Sequence, residues 1–173
     1  MSEPWGGDVT PRTANPSESA SVTLRDATEA DLPVFFSHQI DPEATSMAAF
    51  ASRSHDAFMT HWAKILQDEA ITKKAVLVGE HVAGNIVGFA HGGEPHVGYW
   101  IGREYWGRGV ATAALRAFLR QVRTRPLYAR VAKHNLASIR VLEKCGFTLR
   151  TPRPGRARTG LDAVDELAYE LLL

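Results

Sequence analysis

From Val22 onward, short stretches of alternating polar and apolar residues trade places with longer stretches of helical spacing. Val22-Thr23-Leu24-Arg25 alternates and predicts a first strand. Thr28-Glu29-Ala30-Asp31 reads as a helix start, with a threonine cap and acids in the first turn. Leu32, Val34, Phe35 and Phe36 give that helix its apolar side. Asp41-Pro42-Glu43 opens a second helix, because aspartate caps well and the fixed φ of proline suits the first helical position. A third runs from about Asp56 to Asp68, where Phe58, His61, Trp62, Ile65 and Leu66 recur at helical spacing. Ala75–Val78 and Ala83–Ala90 read as strands joined by a turn near Gly79-Glu80-His81, and His96–Ile101 as a further strand ending at Gly102.

The strongest amphipathic pattern comes next. Val110, Ala111, Ala114, Leu115, Phe118, Leu119 and Val122 make one broad apolar stripe, with Arg116, Arg120 and Arg123 outside it. Pro126 stops this helix. Leu127–Val131 is a strand, and Asn135 caps a short helix that ends around Cys145-Gly146. Phe147–Arg150 predicts a strand, Pro152–Arg156 a loop, and Glu166–Leu172 a last strand. Helices flanking a mixed sheet place the chain in the α/β or α+β class.

Composition narrows the picture by exclusion. A chain of 173 residues with 45% hydrophobic content suits one domain with a real core. A net charge of +1 favours neither nucleic acid nor a membrane surface as partner. The single cysteine excludes an intrachain disulfide. No apolar run approaches the roughly 20 residues needed to span a bilayer, and the polar N-terminus lacks the apolar centre of a signal peptide. A cytoplasmic location is the expectation. The seven histidines show no paired ligand spacing, so no metal is expected. Residues 1–21, rich in Ser, Pro, Gly and Thr, are expected to form a disordered tail ahead of a single domain over 22–173.

The chemistry centres on Tyr105-Trp106-Gly107-Arg108-Gly109-Val110-Ala111-Thr112. A glycine turn feeding a helix presents backbone N–H groups at the positive end of the helix dipole, where phosphate oxygens bind well. A Walker phosphate loop would need a Lys and a Ser/Thr that are missing here. A dinucleotide fingerprint would need another glycine phase and would follow the first strand of a βαβ unit. A tight turn without a ligand is a further reading. The last reading takes in the flanking segments. Val97-Gly98-Tyr99-Trp100-Ile101-Gly102 followed by the glycine turn resembles the acetyl-CoA motif of the GNAT superfamily of N-acetyltransferases. Asn135-Leu136-Ala137-Ser138-Ile139-Arg140-Val141-Leu142-Glu143-Lys144-Cys145-Gly146-Phe147 resembles the helix and strand that follow it there. The tryptophan before the glycine looks like the branch containing ribosomal-protein alanine N-acetyltransferases.

The resemblance implies a mixed, mostly antiparallel central sheet of about six or seven strands, flanked by helices and splayed where CoA enters. It implies acetyl-CoA as acyl donor, held at its pyrophosphate by the backbone of Trp106, Gly107, Arg108, Gly109, Val110, Ala111 and Thr112. In the usual pattern Gln or Arg occupies the position of Trp106; Gly109 and Ala111 match. Tyr99, Trp100 and Ile101 would pair their backbone with the pantetheine arm. Asn135 and Ser138 would lie near the thioester. One or two of Lys133, His134, Arg140 and Lys144 would touch the adenosine and phosphates, with Lys144 assigned to the cofactor site. Arg108 is either a phosphate contact or a solvated charge.

For catalysis the resemblance implies direct attack by a primary amine of a small molecule or a protein N-terminus. Many relatives carry Glu at the position of His96, which makes His96 the expected base, with Glu94 as rival. The tyrosine common in the family seven residues after the asparagine is Leu142 here, and Ser138 takes the expected role of donor to the leaving sulfur, with Asn135 beside it. Phe36, His38, Phe50, Phe58, His61, Trp62 and Trp100 are candidates for the acceptor pocket, most of them expected in the core. Cys145 is expected to be inert. A homodimer is compatible with the family likeness. The alternative is a CoA-binding sensor that keeps the fold without catalysis.

Overall fold

In sequence order the strands are β1 (Val22–Asp26), β2 (Thr72–Val78), β3 (His81–His91), β4 (Glu94–Ile101), β5 (Leu127–Ala132), β6 (Thr148–Leu149) and β7 (Glu166–Leu171). They form one sheet in the order β1-β2-β3-β4-β5-β7-β6. Every neighbouring pair is antiparallel except β4 and β5. The computed structural model describes residues 21–150 and 166–173. The expected tail up to residue 20 and the loop at Pro152–Arg156 lie outside the described residues.

Among the described residues, five α-helices accompany the sheet: α1 (Leu32–Gln39), α2 (Pro42–Ala48), α3 (His55–Gln67), α4 (Val110–Gln121) and α5 (Leu136–Lys144). The Asp41 carboxylate accepts from the N–H groups of Glu43 and Ala44 at the start of α2, each at 3.0 Å. α3 begins one residue before the expected start, because Ser54 caps it by accepting from the Ala57 N–H. Thr28 opens a short 3-10 turn before α1. There its N–H and hydroxyl both donate to the Asp31 carboxylate.

Each face of the sheet carries its own core. On one, Val110, Ala114, Leu115 and Phe118 of α4 and Leu142 of α5 pack with Val76, Ile86, Val97 and Val131 of the strands. On the other, Leu32 and Phe35 of α1 meet Phe58 and Trp62 of α3 over Ala75. Burying each large apolar side chain stabilises the fold by roughly 1.5–3 kcal/mol, which fixes the helices and, through α4, the glycine turn at its start.

Two features shape the ends of β4. Gly92 and Gly93 link it to β3 with φ of 58° and 78°, the left-handed geometry that a two-residue hairpin turn needs. β4 meets β5 through a single register pair, His96 with Tyr128. Beyond that pair the two parallel strands separate, and a V opens toward Ile101 and Ala132.

Candidate active site

The V continues into a cleft of about 370 Å³. Tyr99, Trp100 and Ile101 of β4 form one wall, and Asn135, Ser138, Val141 and Lys144 around α5 form the other. The glycine turn and the first turn of α4 close one end. Ala44, Met47 and Ala48 of α2 line it as well.

The turn has a geometry that favours an anion. Gly107 and Gly109 adopt φ of 71° and 75°, a left-handed conformation that costs other residues roughly 1–2 kcal/mol. A Cβ at either position would meet no heavy atom within 4 Å, so their backbones face open space. The first intrahelical bond of α4 runs from the Ala113 N–H to the Gly109 carbonyl at 3.0 Å. The N–H groups of Val110, Ala111 and Thr112 precede it and are left for a ligand. Trp106 anchors the turn from below, its indole N–H donating to the Ile101 carbonyl at 2.9 Å. Arg140 and Lys144 add positive charge, and among the described residues no Asp or Glu belongs to the lining. These features fit a phosphate-bearing substrate such as CoA.

Further along, the Tyr99 hydroxyl and Ser138 Oγ are 2.7 Å apart. The Ser138 N–H donates to Asn135 Oδ1 at 3.0 Å, so the helix cap also fixes the serine. Burial pushes the Tyr99 pKa up to about 12, against the pull of the Ser138 hydrogen bond. The phenol therefore stays protonated at neutral pH.

Of the residues expected at the cofactor, Tyr99, Trp100, Ile101, Trp106, Gly107, Gly109, Val110, Ala111, Thr112, Asn135, Ser138 and Lys144 line the cleft together. Arg108 does not; its guanidinium lies 5.7 Å from the centre of the Tyr105 ring. Lys133 and His134 are also outside the lining, with His134 Nε2 lying 2.9 Å from the Ser46 carbonyl. Cys145 is half-buried, and burial pushes its thiol pKa up.

Neither candidate base lines the cleft. His96 is buried at the closed end of the V, among Phe89, His91 and Tyr128 at ring distances of 5.9, 5.5 and 5.7 Å. Burial, first, and then the charge of His91 lower its pKa. Glu94 makes a two-pronged ion pair with Arg150, both bonds at 3.0 Å.

Among the acceptor candidates, Trp100 lines the cleft, its indole N–H donating to the His38 carbonyl at 3.0 Å and its ring meeting Phe50 at 5.9 Å. Phe36, Phe58 and Trp62 belong to the α1–α3 core. The His38 ring is buried under Gly102, with Nε2 3.3 Å from Glu104. His61 is exposed on α3. Sequence reasoning missed Ala44, Met47 and Ala48. The start of α2 is readable from Asp41-Pro42, but apolar side chains such as these carry no chemical signature.

Residues 21–148 match the family model described as acetyltransferase (GNAT) domain. No curated protein matches the chain. Among solved structures, the GNAT-family acetyltransferase from Bacillus anthracis superposes with a TM-score of 0.72 at 18% identity, over 87% of this chain and 94% of that one. Spermidine N-acetyltransferase from Vibrio cholerae, in complex with CoA and spermine, has a TM-score of 0.72 at 19% identity, over 87% and 95%. A ribosomal-protein alpha-N-acetyltransferase in complex with coenzyme A has a TM-score of 0.70 at 17% identity, over 88% and 94%. At these identities the likeness is one of fold.

Proposed function

The chain belongs to the GNAT acetyltransferase family, and from that premise we propose that it transfers an acetyl group from acetyl-CoA to a primary amine by direct attack in a ternary complex. The observation that carries this reading is the cleft itself. An anion-binding turn at α4 and a hydrogen-bonded pair of hydroxyls, Tyr99 and Ser138, line the same opening between β4 and β5.

Roles follow from position. The amides of Val110, Ala111 and Thr112, with Arg140 and Lys144, hold the phosphates. The exposed edge of β4 at Tyr99–Ile101 hydrogen-bonds an extended arm, as a sheet edge binds a strand. Ser138, held by Asn135, donates to the sulfur as the carbon–sulfur bond breaks.

The attacking amine must be neutral. At pH 7 a lysine amine is only ~0.04% neutral, whereas an α-amine is on the order of 10% neutral. A weakly basic amine thus reacts without a dedicated base, its proton passing to water. This matters because His96 and Glu94 are both engaged away from the cleft. The similar structures act, by their names, on spermidine and on a ribosomal-protein N-terminus. Among the described residues, the lining of this cleft has no carboxylate to receive a polyamine, which favours a small-molecule amine or a peptide N-terminus of lower charge.

The test is release of CoA thiol from acetyl-CoA with a panel of amines. Turnover on at least one amine, with kcat lowered at least tenfold by Ser138→Ala, is the expected result. Tight acetyl-CoA binding with no turnover on any amine would instead identify a sensor.

A further inference from the structure

Tyr99 and Ser138 come from elements 39 residues apart in sequence, yet their hydroxyl oxygens stand 2.7 Å apart in the cleft. That is the length of a good O–H···O bond. Each hydroxyl has one hydrogen, so one is spent between them and the other is left over. The direction follows from acidity: a phenol is the better donor and an alcohol the better acceptor. The Tyr99 hydroxyl also lies 3.4 Å from the Ser138 carbonyl oxygen, too long a contact to compete with Ser138 Oγ at 2.7 Å for its single hydrogen. The Tyr99 ring packs against the α4–α5 core, and the serine backbone is pinned by Asn135, so neither partner is free to turn away.

We propose that Tyr99 is a positioning residue for acyl transfer: its hydroxyl donates to Ser138 Oγ and so aims the remaining Ser138 hydrogen at the departing sulfur. This rests on the transfer reading above. In the step concerned, the amine nitrogen bonds to the carbonyl carbon and the carbon–sulfur bond breaks, its electron pair going to sulfur. Ser138 keeps its proton and stabilises the thiolate by a hydrogen bond. The thiolate then takes a proton from water, and the nitrogen gives one to water. Outright proton transfer is disfavoured by the acidities. Burial pushes Tyr99 to about 12 against a thiol of ~8.5, a mismatch on the order of 10³-fold or more. Two linked hydroxyls polarise one another, which makes the serine a stronger donor without ionising either group.

The experiment measures CoA thiol release with spermine, an aminoglycoside and an alanine-initiated peptide as acceptors. Calorimetric CoA affinity reports that each variant is folded. Tyr99→Phe, which removes one oxygen and keeps the ring, should lower kcat five- to thirtyfold and leave the KM for acetyl-CoA within twofold. Tyr99→Phe combined with Ser138→Ala should be no slower than Ser138→Ala alone, because the tyrosine acts only through the serine. Ser138→Thr, which keeps a hydroxyl, should keep most of kcat and its dependence on Tyr99. Wild-type kcat in Tyr99→Phe, or losses that multiply in the double variant, would overturn the proposal and leave acetyl transfer standing. A wild-type protein that binds acetyl-CoA but releases no thiol with any amine would overturn both.

Discussion

His96 faces Tyr128 across the only register pair that joins β4 to β5. A histidine at the closed end of a splayed sheet acts as a wedge, with its ring among those of Phe89, His91 and Tyr128. Burial lowers its pKa; His91, Arg130 and Arg150 push the same way and Glu94 opposes them. The linkage sign is fixed by this. The unfolded chain takes up a proton near pH 6.5 that the folded chain refuses, so the stabilising contribution is full above that pH and is lost as pH falls toward the folded value. His96→Phe should therefore flatten the decline of melting temperature as pH falls below about 6.5. An unchanged slope by calorimetry would contradict the buried neutral ring.

The acid limb of stability belongs to Asp31. Its buried carboxylate accepts from Arg25 at 2.6 and 2.7 Å and from the Thr28 N–H at 2.8 Å. Arg25 chiefly, and then Thr28, hold its pKa below the usual carboxylate value. Here the stabilising contribution is present above about pH 3.9 and disappears as pH falls through the depressed folded value. Asp31→Asn should cost about 1–3 kcal/mol at pH 7. The gap from wild type should close in acid, as read from urea midpoints at pH 7 and at about pH 3.

How much of this was legible varied by element, for physical reasons. The helix at Val110 announced itself because one face is buried and the other solvated, so its period survives in the sequence. The start of β2 did not. Lys73 and Lys74 interrupt the apolar pattern, and the strand tolerates them because Lys74 pairs with Asp26 at 2.7 Å and Lys73 donates to the Asp68 carbonyl. The expected strand at Phe147–Arg150 shrinks to Thr148–Leu149, since Phe147 turns into the core. The Gly92-Gly93 pair is itself a two-residue hairpin signal. At the site, the glycine turn and Asn135 are local motifs, and local motifs can be read. The bond between Tyr99 and Ser138 depends on how β4 lies against α5, which no spacing encodes. The burial of His96 was hidden for the same reason.

The left-handed turn makes a separable prediction about binding. Gly109→Ala forces a side chain into φ of 75°, at a cost of roughly 1–2 kcal/mol, and adds a methyl group where the backbone faces open space. A free turn that relaxes out of this geometry must regain it to bind, so the KM for acetyl-CoA should rise by up to about thirtyfold, the upper end of that energy. The kcat should change less than threefold, because Tyr99 and Ser138 belong to β4 and α5 and not to the turn. A fall in kcat with unchanged KM would place the turn's role in chemistry and not in holding phosphate.

Charge at the cleft mouth can be tested against the donor that lacks it. Arg140 and Lys144 are the basic residues of the lining among the described residues, and Arg116 braces the end of α5 by donating to the Lys144 carbonyl at 3.2 Å. A charge-assisted bond to phosphate typically contributes about 1.5–3 kcal/mol. Part of that is lost to screening when the side chain is exposed. Replacing both residues by Gln should thus raise the KM for acetyl-CoA about tenfold or more. S-acetylpantetheine has the thioester and the arm but no nucleotide, so its kcat/KM should be the same for wild type and variant. The wild-type preference for acetyl-CoA should also shrink as salt rises, and the variant's much less. Equal losses with both donors would mean that Arg140 and Lys144 shape the α5 wall, not the phosphate site.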